Sequence, residues 1–212
     1  MTTSRRSSEK STRARAAPDG TELLAMELQQ IRSAESELSR ILPSLAEAVE
    51  SEELRELLEL REKQGKRLLG ELEAAFDELE EEAPTKKNPA AEGLIEAARE
   101  HVRQIEEGPA LDAALIAGIQ KVEHYCIAAW GTAKSLAKAA GHKTTARAME
   151  QELKDGRKLD EKLTELAETE ITPALLSEEM EDEEGGEGTE EEGKQSGRKR
   201  GGNTSSRHAP RH

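Results

Sequence analysis

The chain has 212 residues, 36% of them charged and 34% hydrophobic, with 1% aromatic content and a formal net charge of −14. So little aromatic and β-branched material excludes a large sheet and leaves long solvated helices around one core. It also excludes base stacking as a mode of nucleic-acid binding, and no stretch approaches the roughly twenty apolar residues of a membrane span.

Residues 1–20, MTTSRRSSEKSTRARAAPDG, lack the apolar centre of a secretory signal and show no amphipathic stripe. They are expected as a disordered basic arm on a cytoplasmic protein. The first helix is predicted from Glu22 to about Glu50, capped by Thr21 and bent at Pro43. Its apolar residues step in threes and fours through Leu24, Leu28, Ile31, Leu38, Leu42, Leu45 and Val49, one face of a helix. Glu35 occupies the missing step, and a carboxylate on such a seam is costly to bury without a partner. A second helix is predicted from Ser51, its cap, to about Glu82, followed by turn signals at Pro84, Asn88 and Pro89. Its seam runs Leu54, Leu58, Arg61, Gly65, Leu68 and Leu72, which turns Arg61 inward at the depth of Glu35. A short helix follows, Ala90 to Glu106, stopped by Gly108 and Pro109.

The third long helix is predicted from Leu111 to Ala140, ending at Gly141, and its stripe is again interrupted by a glutamate, Glu123. Cys126 lies in the same apolar run; as the single cysteine it has no internal disulfide partner, which fits a reducing cytosol, and it reads as a small core residue. His124, about a hundred degrees from Glu123 on a helix, is expected either to support a ligand from behind or to lie on the surface, not to bind metal itself. The fourth long helix is predicted from Thr144 to Thr169. Residues 171–212 turn acidic and Gly-rich from Glu178, then basic at Lys194 and Arg198-Lys199-Arg200, and are expected as a disordered tail. The basic segments offer contacts to phosphate. Because the adjacent Glu-rich block neutralises the basic run and the whole chain is acidic, nucleic acid is not the expected partner.

The string Asp112-Ala113-Ala114-Leu115-Ile116 with Gln120-Lys121-Val122-Glu123-His124-Tyr125 resembles the YciE/YciF family of ferritin-like bacterial proteins, whose signature there reads much like DAALI…QKVEHYEIA. Ser33-Ala34-Glu35 with Leu38, Gly93-Leu94-Ile95-Glu96, and Asp160 with Lys162-Leu163 agree with it, over about residues 21–170. The resemblance implies an all-α fold: an antiparallel four-helix bundle with a short extra helix before the third long one. It also implies a dinuclear iron or manganese centre held by inward carboxylates and histidines.

This chain departs from that pattern. Where the family usually reads His-x-x-Glu-Thr, it has Arg61 in place of the histidine and Gln64 in place of the glutamate. Cys126 and Gly156 stand where the family has further glutamates. Glu35, Glu123, Asp155 and Asp160 are the residues left to hold metal. With donors lost on three helices, no cofactor is expected, and Arg61 is expected to supply to Glu35 and Glu123 the positive charge that metal supplies in relatives. The other outcome for these residues is a surface-reaching Arg61 and a solvated Glu35. On this reading the natural chain is metal-free and an Arg61→His/Gln64→Glu variant gains metal.

The function expected from this reading is a non-enzymatic, stress-associated bundle with a degenerate metal centre, homodimeric as such bundles often are. Two alternatives stand beside it. One is a working iron or manganese protein of oxidase or storage type, in which Glu35, Glu123, Asp155 or Glu152, and Asp160 bind a single ion. The other is a dimeric interaction module with charged tails. No serine–histidine pairing, Gly-rich phosphate loop or CxxC spacing supports a hydrolase, nucleotide-binding or zinc reading.

Overall fold

A computed structural model describes residues 18–81 and 86–177. The basic arm through residue 17, Pro84 and the acidic-then-basic tail from residue 178 lie outside the described residues. Among the described residues five α-helices account for the fold: α1 (Gly20–Ala48), α2 (Glu52–Leu79), α3 (Pro89–Gln104), α4 (Pro109–Ala140) and α5 (Lys143–Leu166). A π-helical turn, Ala167–Ile171, follows α5, helical backbone continues to residue 177, and the compact unit closes at Leu175. None of the described helices is long and apolar enough to cross a membrane.

Local chemistry sets the helix ends. α1 is capped by Asp19 rather than Thr21, because the Asp19 carboxylate accepts from the Thr21 and Glu22 backbone N–H groups while the Glu22 side chain returns to the Asp19 N–H. This capping box satisfies donors that a threonine two positions later could not reach. The Ser51 hydroxyl accepts from Leu54 N–H at the start of α2. Asn88 caps α3 through Ala91 N–H, and Gly141, at φ 88°, ends α4 in the left-handed region. Pro43 lies within α1.

α1 packs on α2 and α4, and α5 packs on the same two helices, so the order around the bundle is α1, α2, α5, α4. Short links turn α1 back into α2 and α4 back into α5. Asp112, in the first turn of α4, accepts from the Glu50 and Ser51 backbone N–H groups at the α1–α2 turn. Thr145, in the first turn of α5, bonds Glu78 near the end of α2. These two contacts make every neighbouring pair antiparallel. α3 carries the chain back along the bundle against α1 and α4. Asn88 pins its start, donating to Gln30 C=O at 3.0 Å and to the Tyr125 hydroxyl at 2.6 Å.

The core is Leu, Ile and Ala along the seams read from the sequence, with Phe76 and Trp130 buried among them. At mid-height this apolar filling is broken on all four long helices, by Glu35, Arg61, Glu123 and Glu152, each 1% exposed or less.

Candidate ion-triad site at the bundle centre

Glu35, Arg61 and Glu123 meet where their seams cross the middle of the bundle. The Arg61 Nη1 and Nη2 groups donate to Glu35 Oε2 and Oε1 at 3.0 and 2.9 Å, a two-pronged fork, and Arg61 Nε donates to Glu123 Oε1. Arg61 is 1% exposed and both carboxylates 0%; the guanidinium does not snorkel. Burial acts to lower the Arg61 pKa, but the charges of Glu123 and Glu35 outweigh it and hold it well above the ordinary arginine value. Burial raises the Glu123 pKa, with Arg61 opposing and Glu35 adding to the rise. One guanidinium thus faces two carboxylates, and Glu123 Oε2 has no hydrogen-bond partner. Cys126, on the same face of α4, is buried, and burial followed by the charges of Glu35 and Glu123 pushes its thiol pKa well up. That keeps it a protonated core residue, not a thiolate.

Two glycines and a tryptophan complete the centre. A Cβ on Gly65 would lie 2.7 Å from Ser39 Oγ and 3.2 Å from both Arg61 Nη1 and Glu35 Oε2, so the fork lies against bare α2 backbone. On α5, a Cβ on Gly156 would overlap the Trp130 ring and lie 3.2 Å from Glu123 Oε2. The Trp130 ring, two turns along α4 from Glu123, has its centroid 5.6 Å from the Arg61 guanidinium carbon, a cation–π distance.

The other expected site residues are turned to different partners. Asp155 accepts from Arg67 Nη2 at 2.9 Å and from Gln151, and its side chain is 22% exposed. Asp160 accepts from Gln120 at 3.1 Å and lies 3.4 Å from His124 Nε2, whose side chain is 67% exposed. Gln64 is half-buried. On α5 it is Glu152, not Asp155, that takes the inward seam position, because the spacing Met149, Glu152, Gly156, Leu159, Leu163 is the three-four step that Asp155 leaves. That spacing was readable without coordinates. Glu152 accepts from Arg67 Nη2 at 2.5 Å; burial lifts its pKa to about 7 against the opposing pull of Arg67, with Glu71 adding to the rise. Trp130 was also within reach of the sequence, seven residues from Glu123 and hence on its face.

A ferritin-like centre needs carboxylates and histidines converging from all four helices on a space large enough for ions. Here Glu35 is fully engaged by Arg61, Glu123 shares the same guanidinium, α2 presents a cation, and the α5 position is a glycine against an indole. Among the described residues no three His, Cys, Asp or Glu side chains converge as an ion's donor set. The residues and the space do not fit a dinuclear metal.

Residues 19–176 match the model of a protein family described as a domain of unknown function, DUF892. Protein YciF of Escherichia coli strain K12 is 38% identical over 144 residues, which covers 66% of this chain and 85% of that protein. The crystal structure of the E. coli stress protein YciF aligns with a TM-score of 0.70 at 32% identity, covering 74% of this chain and 99% of that one. A Rhodopseudomonas palustris protein, YcfI, aligns with a TM-score of 0.66 at 29% identity, covering 71% and 96%.

Proposed function

The chain belongs to the DUF892 family, of the YciE/YciF type, and from that premise we propose that it is a non-enzymatic, stress-associated bundle protein of the cytoplasm whose metal centre has been replaced by an internal arginine. One observation carries this reading: Arg61, buried between Glu35 and Glu123, supplies the positive charge that inward carboxylates of a ferritin-like bundle otherwise take from metal. A covalently attached cation offsets carboxylate charge without exchange, redox change or an open position for a substrate, so it holds a fold and does no chemistry. Function then resides in the outer surface and termini of the bundle, acting as a homodimer. The stress association rests on family membership and on what E. coli YciF is called.

The deciding experiment is elemental analysis of the full chain after expression with added iron and manganese and purification without chelator. Metal at trace level is expected. Near-stoichiometric iron or manganese overturns the reading and makes the protein a metal-binding member with an altered donor set. Sedimentation equilibrium on the same sample tests the dimer.

A further inference from the structure

The arginine offsets one of the two carboxylate charges and leaves space unaccounted for. A guanidinium that has taken over from two ions still leaves the part of the centre that a fourth-helix ligand would fill, and at that position α5 carries Gly156. A glycine inside a helix costs stability relative to alanine unless something needs the room. What uses it is Trp130: it is 1% exposed, its ring lies where the Gly156 side chain would be, and the same virtual Cβ touches Glu123 Oε2. The indole therefore borders the carboxylate and faces the guanidinium together.

We infer that Trp130 and Arg61 form one guanidinium–indole plug, in which Trp130, seated on Gly156, closes the bundle centre to ions sterically and positions Arg61 for both glutamates. This deepens the proposal of an arginine-neutralised bundle and rests on it. Restoring donors on α2 alone then does not restore metal: with His at 61 and Glu at 64, the indole still occupies the α5 side of the site. Gly156 is the partner of this tryptophan, and its tolerance of a side chain is set by residue 130.

The seating is tested by a thermal-unfolding cycle on the full chain. Gly156→Ala is expected to lower the melting temperature by several degrees in the natural background, and to leave it unchanged or raise it in a Trp130→Leu background. Equal effects in the two backgrounds, or no loss in the natural one, overturn the seating. Closure to ions is tested by iron and manganese content. The Arg61→His/Gln64→Glu variant is expected to purify with trace metal, and the same variant with Trp130→Leu to acquire metal. Uptake without the tryptophan change, or none with it, overturns closure. Circular dichroism establishes that each variant is folded, and the metal content of the natural chain judges the underlying proposal separately.

Discussion

A buried arginine between two buried glutamates is stabilising only as a set. Removing one partner leaves uncompensated charge in a low-dielectric core, whereas removing all of them removes the desolvation cost as well. Arg61→Ala is therefore expected to cost about 3–5 kcal/mol in urea unfolding, while Arg61→Met combined with Glu35→Leu and Glu123→Leu recovers most of that loss. Failure of the triple variant to recover would show that the set contributes more than its own neutralisation. Glu152 behaves oppositely to a salt-bridged surface carboxylate. Its pKa is raised from the ordinary 4.5 to about 7, so between those values the folded state holds a proton that the unfolded chain has released. Its stabilising contribution is complete below about pH 4.5 and is lost as the pH climbs to 7. Glu152→Gln is expected to flatten that part of the stability profile, on the order of 2 kcal/mol, read as melting temperature between pH 4.5 and 8.

The helices themselves are ordinary: capped, amphipathic and stitched on their outer faces by pairs such as Lys66–Glu62, which contribute a few tenths of a kcal/mol each. What distinguishes this bundle at the level of elements is how their ends are tied. Asp112 is 1% exposed and accepts from Ser51 N–H at 2.8 Å and Glu50 N–H at 3.2 Å, so one side chain on α4 satisfies two backbone donors at the α1–α2 turn. Asp112→Ala strands both donors and is expected to cost about 2–4 kcal/mol. Hydrogen exchange is expected to quicken first at Glu50 and Ser51, and unchanged exchange there would mean that the turn holds itself. Asn88 does the equivalent for α3, tying it to α1 through Gln30 and to α4 through Tyr125. The last residue of the Glu-His-Tyr string is thus accounted for by the docking of α3, whereas Glu123 is at the centre and His124 on the surface.

For the whole molecule the proposed exchange of metal for arginine predicts a stability that does not depend on an exchangeable ion. A metal-held bundle loses the linkage contribution of bound metal when chelator is added. Here incubation with excess EDTA is expected to leave the melting temperature unchanged, and a clear drop would point to metal in the natural protein.

The all-α class, the five helices, their order and nearly all of their inward faces are determined by the sequence alone, because a stripe at every third or fourth position leaves a helix one way to bury itself. The inward positions of Glu35, Arg61 and Glu123 follow from the same spacing. Three things needed the tertiary structure. It brought Arg67 of α2 to both Asp155 and Glu152 of α5. It brought Asp112 of one helix to the turn between two others. And it set the Trp130 ring into the space at Gly156. Each depends on distances between residues far apart in the chain. Periodicity states which way a side chain faces; only the packed helices decide what it meets.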